Sequence, residues 1–187
     1  MFGKIFGSAY NNTFGARAQE VGATFAFMWF WVLLFSLILS LTVGSVSSID
    51  SGDGLLLGVI PNYLLQGWHM DTKEAISSGL GWQLVTACIT APFLEEIVFR
   101  GVFCSVSSDR SGKLYHWSWA VILLGTFIGF GLAHRNGLYS IMVQGVIGLF
   151  LARLWFRNGP NQTASYLSCV AAHSCYNFSV VAITFIF

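Results

Sequence analysis

The stretch Pro92-Phe-Leu-Glu95-Glu96-Ile-Val-Phe-Arg100-Gly101 sets three ionisable residues inside a segment that is apolar on both sides and long enough to cross a bilayer. At mid-membrane each such residue costs about 2.5 to 3.5 kcal/mol. Three together ask for about 7 to 10 kcal/mol unless they pair or line a wet cavity. Glu96 and Arg100 are four apart, so they stack on one helical face and neutralise each other. Glu95 points about 100° away around the helix and has no partner in its own segment. It is the residue whose presence most needs a functional reason.

Outward from this stretch the chain stays apolar. Of its 187 residues 55% are hydrophobic and 9% charged, against about 25% charged in soluble domains. That composition reads as a polytopic, all-α membrane protein. The net charge of +1 carries no sign of a nucleic-acid partner, because the Lys and Arg residues are scattered. Cys88, Cys104, Cys169 and Cys175 lack CxxC or Cys/His zinc spacing and read as small apolar side chains.

About five spanning helices are expected, at 25–43, 80–104, 117–134, 138–156 and 164–187. Residues 1–20 carry Phe2, Phe6, Tyr10 and Phe14 at four-residue spacing, which suggests a short interfacial helix. Between 44 and 79 lie Asp50, Asp53, Asp71 and Glu74, around an apolar patch at 55–65 that Pro61 interrupts. That patch is too short to cross and reads as re-entrant or interfacial. With the N-terminus cytoplasmic, Lys4, Arg17, Arg110, Lys113, Arg153 and Arg157 fall inside, and only Lys73 and Arg135 outside. Trp82, Trp117, Trp119 and Trp155 stand near span ends, as interfacial tryptophans do. Gly125 with Gly129 on span three, and Ser140, Gln144 and Gly148 on span four, suit close helix packing.

Polar groups recur in the later spans. Phe130-Gly-Leu-Ala-His134 puts an imidazole one turn after an aromatic ring, and His173-Ser-Cys-Tyr-Asn177 puts His and Asn on one face. Singly, a buried His or Asn is an interhelical hydrogen bond, and Phe130 is core. Together, an unpaired Glu, two His and an Asn in three apolar helices are the parts that activate a water and steady an oxyanion. On straight helices, Glu95 lies toward the cytoplasmic end of its span and His134 at the outer end of its own. That layout separates them by on the order of 10 Å.

Glu95-Glu96-x-x-x-Arg100, Phe130-x-x-x-His134 and His173-x-x-x-Asn177 resemble, in order, the three motifs of the CAAX protease and bacteriocin-processing (CPBP, or Abi) family, type II CAAX endopeptidase-like intramembrane proteases. The resemblance runs over about 82–177. The apolar pattern reads as one transmembrane domain over 1–187, with an interfacial segment and first span in 1–43 and a mixed loop at 44–79, to neither of which the resemblance extends, and a family-like catalytic core at about 80–187. The short chain suggests a prokaryotic cytoplasmic membrane, and the resemblance implies a multi-pass protein that hydrolyses a peptide bond of a membrane-anchored or secreted protein or peptide. Glu95 would activate water with His134 as partner, His173 and Asn177 would hold the water or the oxyanion, and Glu96, Arg100 and Phe130 would support the site. No metal is expected; a zinc alternative would use Glu95, His134 and His173. Two other readings are a non-catalytic interaction, immunity or regulatory protein that keeps this site as polar glue, and a small transporter, for which no internal repeat speaks.

Overall fold

A computed structural model describes residues 13–42, 80–109, 114–134 and 137–186. They form five helical rods: α1 (Phe14–Thr42), α2 (80–106), α3 (Ser118–Ala133), α4 (137–157) and α5 (Gln162–Ile186). No strand occurs among the described residues. A single bridge, Ser108 to Leu114, ties the α2–α3 connection. Two helices are long and apolar enough to cross a membrane, over Phe14–Ile38 and Gln162–Ile183, and Ser118–Ala133 is a shorter apolar helix. The interfacial or re-entrant reading of 44–79 and the interfacial reading of residues 1–12 lie outside the described residues.

The first helix corrects one expectation. Residues 14–20 do not form a separate interfacial piece but are the opening turns of a 29-residue α1. The reason is tertiary: the Glu20 carboxylate meets Arg153 at 3.0 Å and Arg157 at 2.6 Å on α4. Its charge is met there, so the polar start of α1 continues straight into the apolar run.

α4 supplies the largest share of the core. Val143, Ile147, Leu151, Ala152, Leu154, Trp155 and Phe156 are buried against Met28 and Val32 of α1, Ile122 and Phe130 of α3, and Cys169, Ala172 and Tyr176 of α5. Trp155 is therefore a core residue rather than an interfacial one. Trp82, Trp117 and Trp119 are exposed. Close approach of α3 and α4 depends on Gly148, as expected, and also on Gly131 and Gly145, which the spacing did not single out. A Cβ at Gly148 would overlap the Thr126 carbonyl oxygen, one at Gly145 the Phe127 carbonyl oxygen, and one at Gly131 would strike the Ile141 backbone. A Cβ at Gly125 would strike the Phe103 ring, so this glycine lets α3 approach α2.

Three of the rods contain π-helical stretches: Thr86–Thr90 and Ile97–Val102 in α2, Ile122–Gly129 in α3, and Ile141–Gly145 in α4. Such wide turns re-aim every side chain after them and gather at functional sites. Here two of them bracket the six-residue segment Ala91–Glu96, and a third ends at the residue before Phe130.

Candidate active site

The glutamate pair separates into two environments. Glu96 is fully buried, with Oε1 3.1 Å from Arg100 Nη1 and 2.8 Å from His173 Nδ1. Glu95, one residue earlier, keeps 30% of its side chain exposed and brings Oε2 to 3.8 Å from His173 Nε2. The His173 ring thus lies between the two carboxylates, one nitrogen toward each. A separation of 3.8 Å is too long for a direct hydrogen bond and short enough for one water to touch both groups. Glu95 Oε2 is buried and has no hydrogen-bond partner among the described residues.

Phe130, 0% exposed, is the hub of the site. The Arg100 guanidinium stands over its face at 4.3 Å. The His134 and His173 rings meet it edge-on, at 4.7 and 5.8 Å between centroids, and Phe99 does so at 5.1 Å. Arg100 also reaches the Gly148 carbonyl at 3.5 Å. That contact exists because Gly148 lets α4 rest on the α3 backbone. One aromatic ring therefore fixes a cation and two imidazoles relative to each other.

The expected depth gap between Glu95 and His134 is closed. His134 follows α3 directly, as the C-cap of its last turn. His134 is within electrostatic reach of both Glu95 and His173. Its Nδ1 is 2.9 Å from the Phe130 carbonyl oxygen. That oxygen only accepts, so Nδ1 carries the proton and Nε2 is left for the site. The ion-paired Glu96 imposes the same tautomer on His173. With each Nδ1 so committed, Nε2 of both rings is left for the site, and that of His173 faces the Glu95 carboxylate across a gap that one water can bridge.

Asn177 is one turn beyond His173, but its Nδ2 donates to the Ala87 carbonyl at 2.8 Å. This bond follows from the sequence of α2. The Ala91 N–H goes to the Thr86 carbonyl, five residues back. In that register the donor for Ala87 would be residue 92, a proline without an N–H. Asn177 supplies the missing donor from another helix.

Among the described residues no group of three His, Cys, Asp or Glu side chains is close enough to hold a metal ion.

Sequence spacing identified the Glu96–Arg100 pair, because both lie on one helix. It missed the bond from Glu96 to His173, 77 residues away, for which no local signal exists. An ionisable group at the middle of α5 was the available hint that a charged partner had to exist elsewhere.

A helical bundle with a carboxylate, two oriented imidazoles and a buried ion pair has the composition of a hydrolase centre. A family model described as type II CAAX prenyl endopeptidase, Rce1-like, matches residues 77–179, more than half of the chain. The chain belongs to this family of proteases. The matched range contains Glu95, Glu96, Arg100, Phe130, His134, His173 and Asn177. No curated protein and no solved structure matches the chain.

Proposed function

We propose that the protein is an integral membrane endopeptidase that uses Glu95 to activate a water against a peptide bond of a membrane-associated substrate. The observation that carries this reading is the 3.8 Å separation of Glu95 Oε2 from His173 Nε2, with His173 held from behind by Glu96. A water between them donates one proton to each acceptor, which leaves its lone pair free to attack a carbonyl carbon. Glu95 takes the proton, and the protonated carboxyl then delivers it to the leaving amine. His173 Nε2 stays the acceptor for the water, and His134, where its Nε2 has taken a proton from solvent before the cycle, offers an Nε2–H donor to the oxyanion and keeps that proton throughout. In a water-poor site each such donor contributes on the order of 10² to 10³ in rate. Arg100 balances Glu96, so Glu95 is the one carboxylate in the site available as a base. No step is assigned to a metal ion.

The family's description supports a C-terminal CAAX peptide of a prenylated protein as the substrate class. Five spans with a cytoplasmic N-terminus remain the layout that best fits the charge distribution. On that layout the Glu20, Arg153 and Arg157 cluster lies on the cytoplasmic face.

The test is cleavage of a farnesylated CAAX peptide by purified protein in liposomes, read by mass spectrometry. Wild type releases the C-terminal tripeptide; Glu95→Gln releases none and melts at the same temperature as wild type. Equal product from Glu95→Gln would sink the glutamate mechanism. No product from either protein would favour the interaction-protein reading.

A further inference from the structure

Pro92 leaves α2 with a weak point three residues before Glu95. Proline removes one backbone donor and clashes with the preceding turn, so helices bend there. A hinge at this position swings the Glu95 carboxylate, and the distance to His173 then depends on whatever holds the hinge. α5 grips α2 on both sides of it. Before Pro92, Asn177 donates to the Ala87 carbonyl at 2.8 Å. After it, the Tyr166 hydroxyl donates to the Phe93 carbonyl at 3.1 Å, with the two rings edge to face at 6.0 Å. Tyr166, His173 and Asn177 are separated by seven and four residues, so at about 100° per residue they fall on one stripe of α5 within roughly 40°. The same stripe that carries the imidazole also fixes the backbone on either side of the proline.

We propose that Tyr166 is a positioning residue for Glu95: its hydroxyl, through the Phe93 carbonyl, holds the turn after Pro92 in the place that brings Glu95 to His173. The inference rests on the catalytic reading above for its consequence in rate, but not for its geometry. Tyr166 touches neither carboxylate. Its action passes through the backbone of Phe93, two residues before Glu95. Asn177 and Tyr166 are then complementary, one supplying a donor that proline removed and the other pinning the turn that follows.

The experiment uses full-length protein in nanodiscs with 15N-labelled histidine, and the His173 ring signals assigned from a His173→Gln variant. Glu95→Gln gives the reference change for loss of the facing carboxylate. Tyr166→Phe keeps the ring and removes only the hydroxyl; it moves the His173 Nε2 signal in the same direction as Glu95→Gln. In the cleavage assay it lowers kcat by on the order of 10-fold to 100-fold with KM within about twofold. Phe93→Leu keeps the carbonyl and loses the ring contact, and leaves the His173 signal in place. An unmoved His173 signal in Tyr166→Phe overturns the proposal, as does an equal movement in Phe93→Leu, which would make the ring contact the lever. If wild type cleaves nothing while Tyr166→Phe still moves the signal, the positioning role stands and the catalytic reading falls.

Discussion

Glu96 Oε1 sits 2.8 Å from His173 Nδ1 in a site with no exposure on the carboxylate. The imidazole of α5 is thereby locked to the same oxygen that pairs with Arg100. Neighbouring glutamates therefore stand in opposite surroundings, one buried in an ion pair and one partly exposed.

The two residues should respond differently to the same change. Glu95→Gln lowers kcat on the order of 10² to 10⁴-fold, the range for loss of a general base, and leaves thermal stability unchanged. Glu96→Ala leaves Arg100 buried without its counter-charge and destabilises by about 3 to 5 kcal/mol. Differential scanning fluorimetry beside the cleavage assay separates the two. A Glu95→Gln variant that unfolds, or a Glu96→Ala variant of normal stability, would reverse the assignment.

Phe130 lies under Arg100 and against both imidazoles, so its truncation acts on stability and on orientation together. Phe130→Ala is expected to destabilise by about 3 to 5 kcal/mol. Phe130→Leu fills most of the space and loses only the ring interactions, of which the cation contact is about 1 to 2 kcal/mol. Its kcat still falls, because both histidines lose the surface that aligns them. A leucine variant with wild-type kcat would show that the ring is packing alone.

Part of this site could be read from residue spacing because three of its relationships are local. Glu96 and Arg100, Phe130 and His134, and His173 and Asn177 each lie one turn apart on a helix. The relationships between helices were not readable in the same way. The bounds expected for α3, 117–134, match those observed, 118–133, yet His134 falls within electrostatic reach of Glu95, because spacing along a helix does not report how α2 and α3 cross. Of the packing glycines, Gly125 and Gly148 were legible from four-residue spacing, whereas Gly131 and Gly145, which also meet the backbone of the facing helix, belong to no such repeat. Trp155 was placed at an interface by its position in the chain, whereas α4 is central and buries it.

The glycine assignment has a direct consequence. In Gly148→Ala the new methyl overlaps the Thr126 carbonyl, a backbone atom that cannot rotate away. α3 and α4 must separate, which costs about 1 to 3 kcal/mol or more and draws the Gly148 carbonyl away from Arg100. Gly22→Ala on α1 meets nothing within 4 Å and should stabilise by about 0.5 to 1 kcal/mol through helix propensity. Equal melting temperatures for the two variants would contradict the packing described for α3 and α4.

The Glu20 cluster makes an electrostatic prediction with a definite sign. Glu20 receives Nε and Nη2 of Arg157 on one oxygen and Nη1 of Arg153 on the other. Its side chain is 14% exposed, and those of the arginines 21% and 26%. Arg153→Gln leaves Glu20 held by Arg157 and costs no more than about 1 kcal/mol, as for a partly exposed pair. Glu20→Gln removes the only carboxylate between two guanidinium groups, so attraction is replaced by repulsion and the loss exceeds that of Arg153→Gln. Salt separates the two causes. Near 1 M ionic strength the Debye length falls to about 3 Å, which weakens the attraction in wild type and the repulsion in Glu20→Gln, so the gap between them narrows. In the double variant Glu20→Gln with Arg153→Gln one of the repelling charges is gone, and stability recovers part of what the first substitution removed, a non-additivity expected for residues in contact. Strict additivity of the two substitutions, or a gap insensitive to salt, would mean that Glu20 joins α1 to α4 by packing rather than by charge.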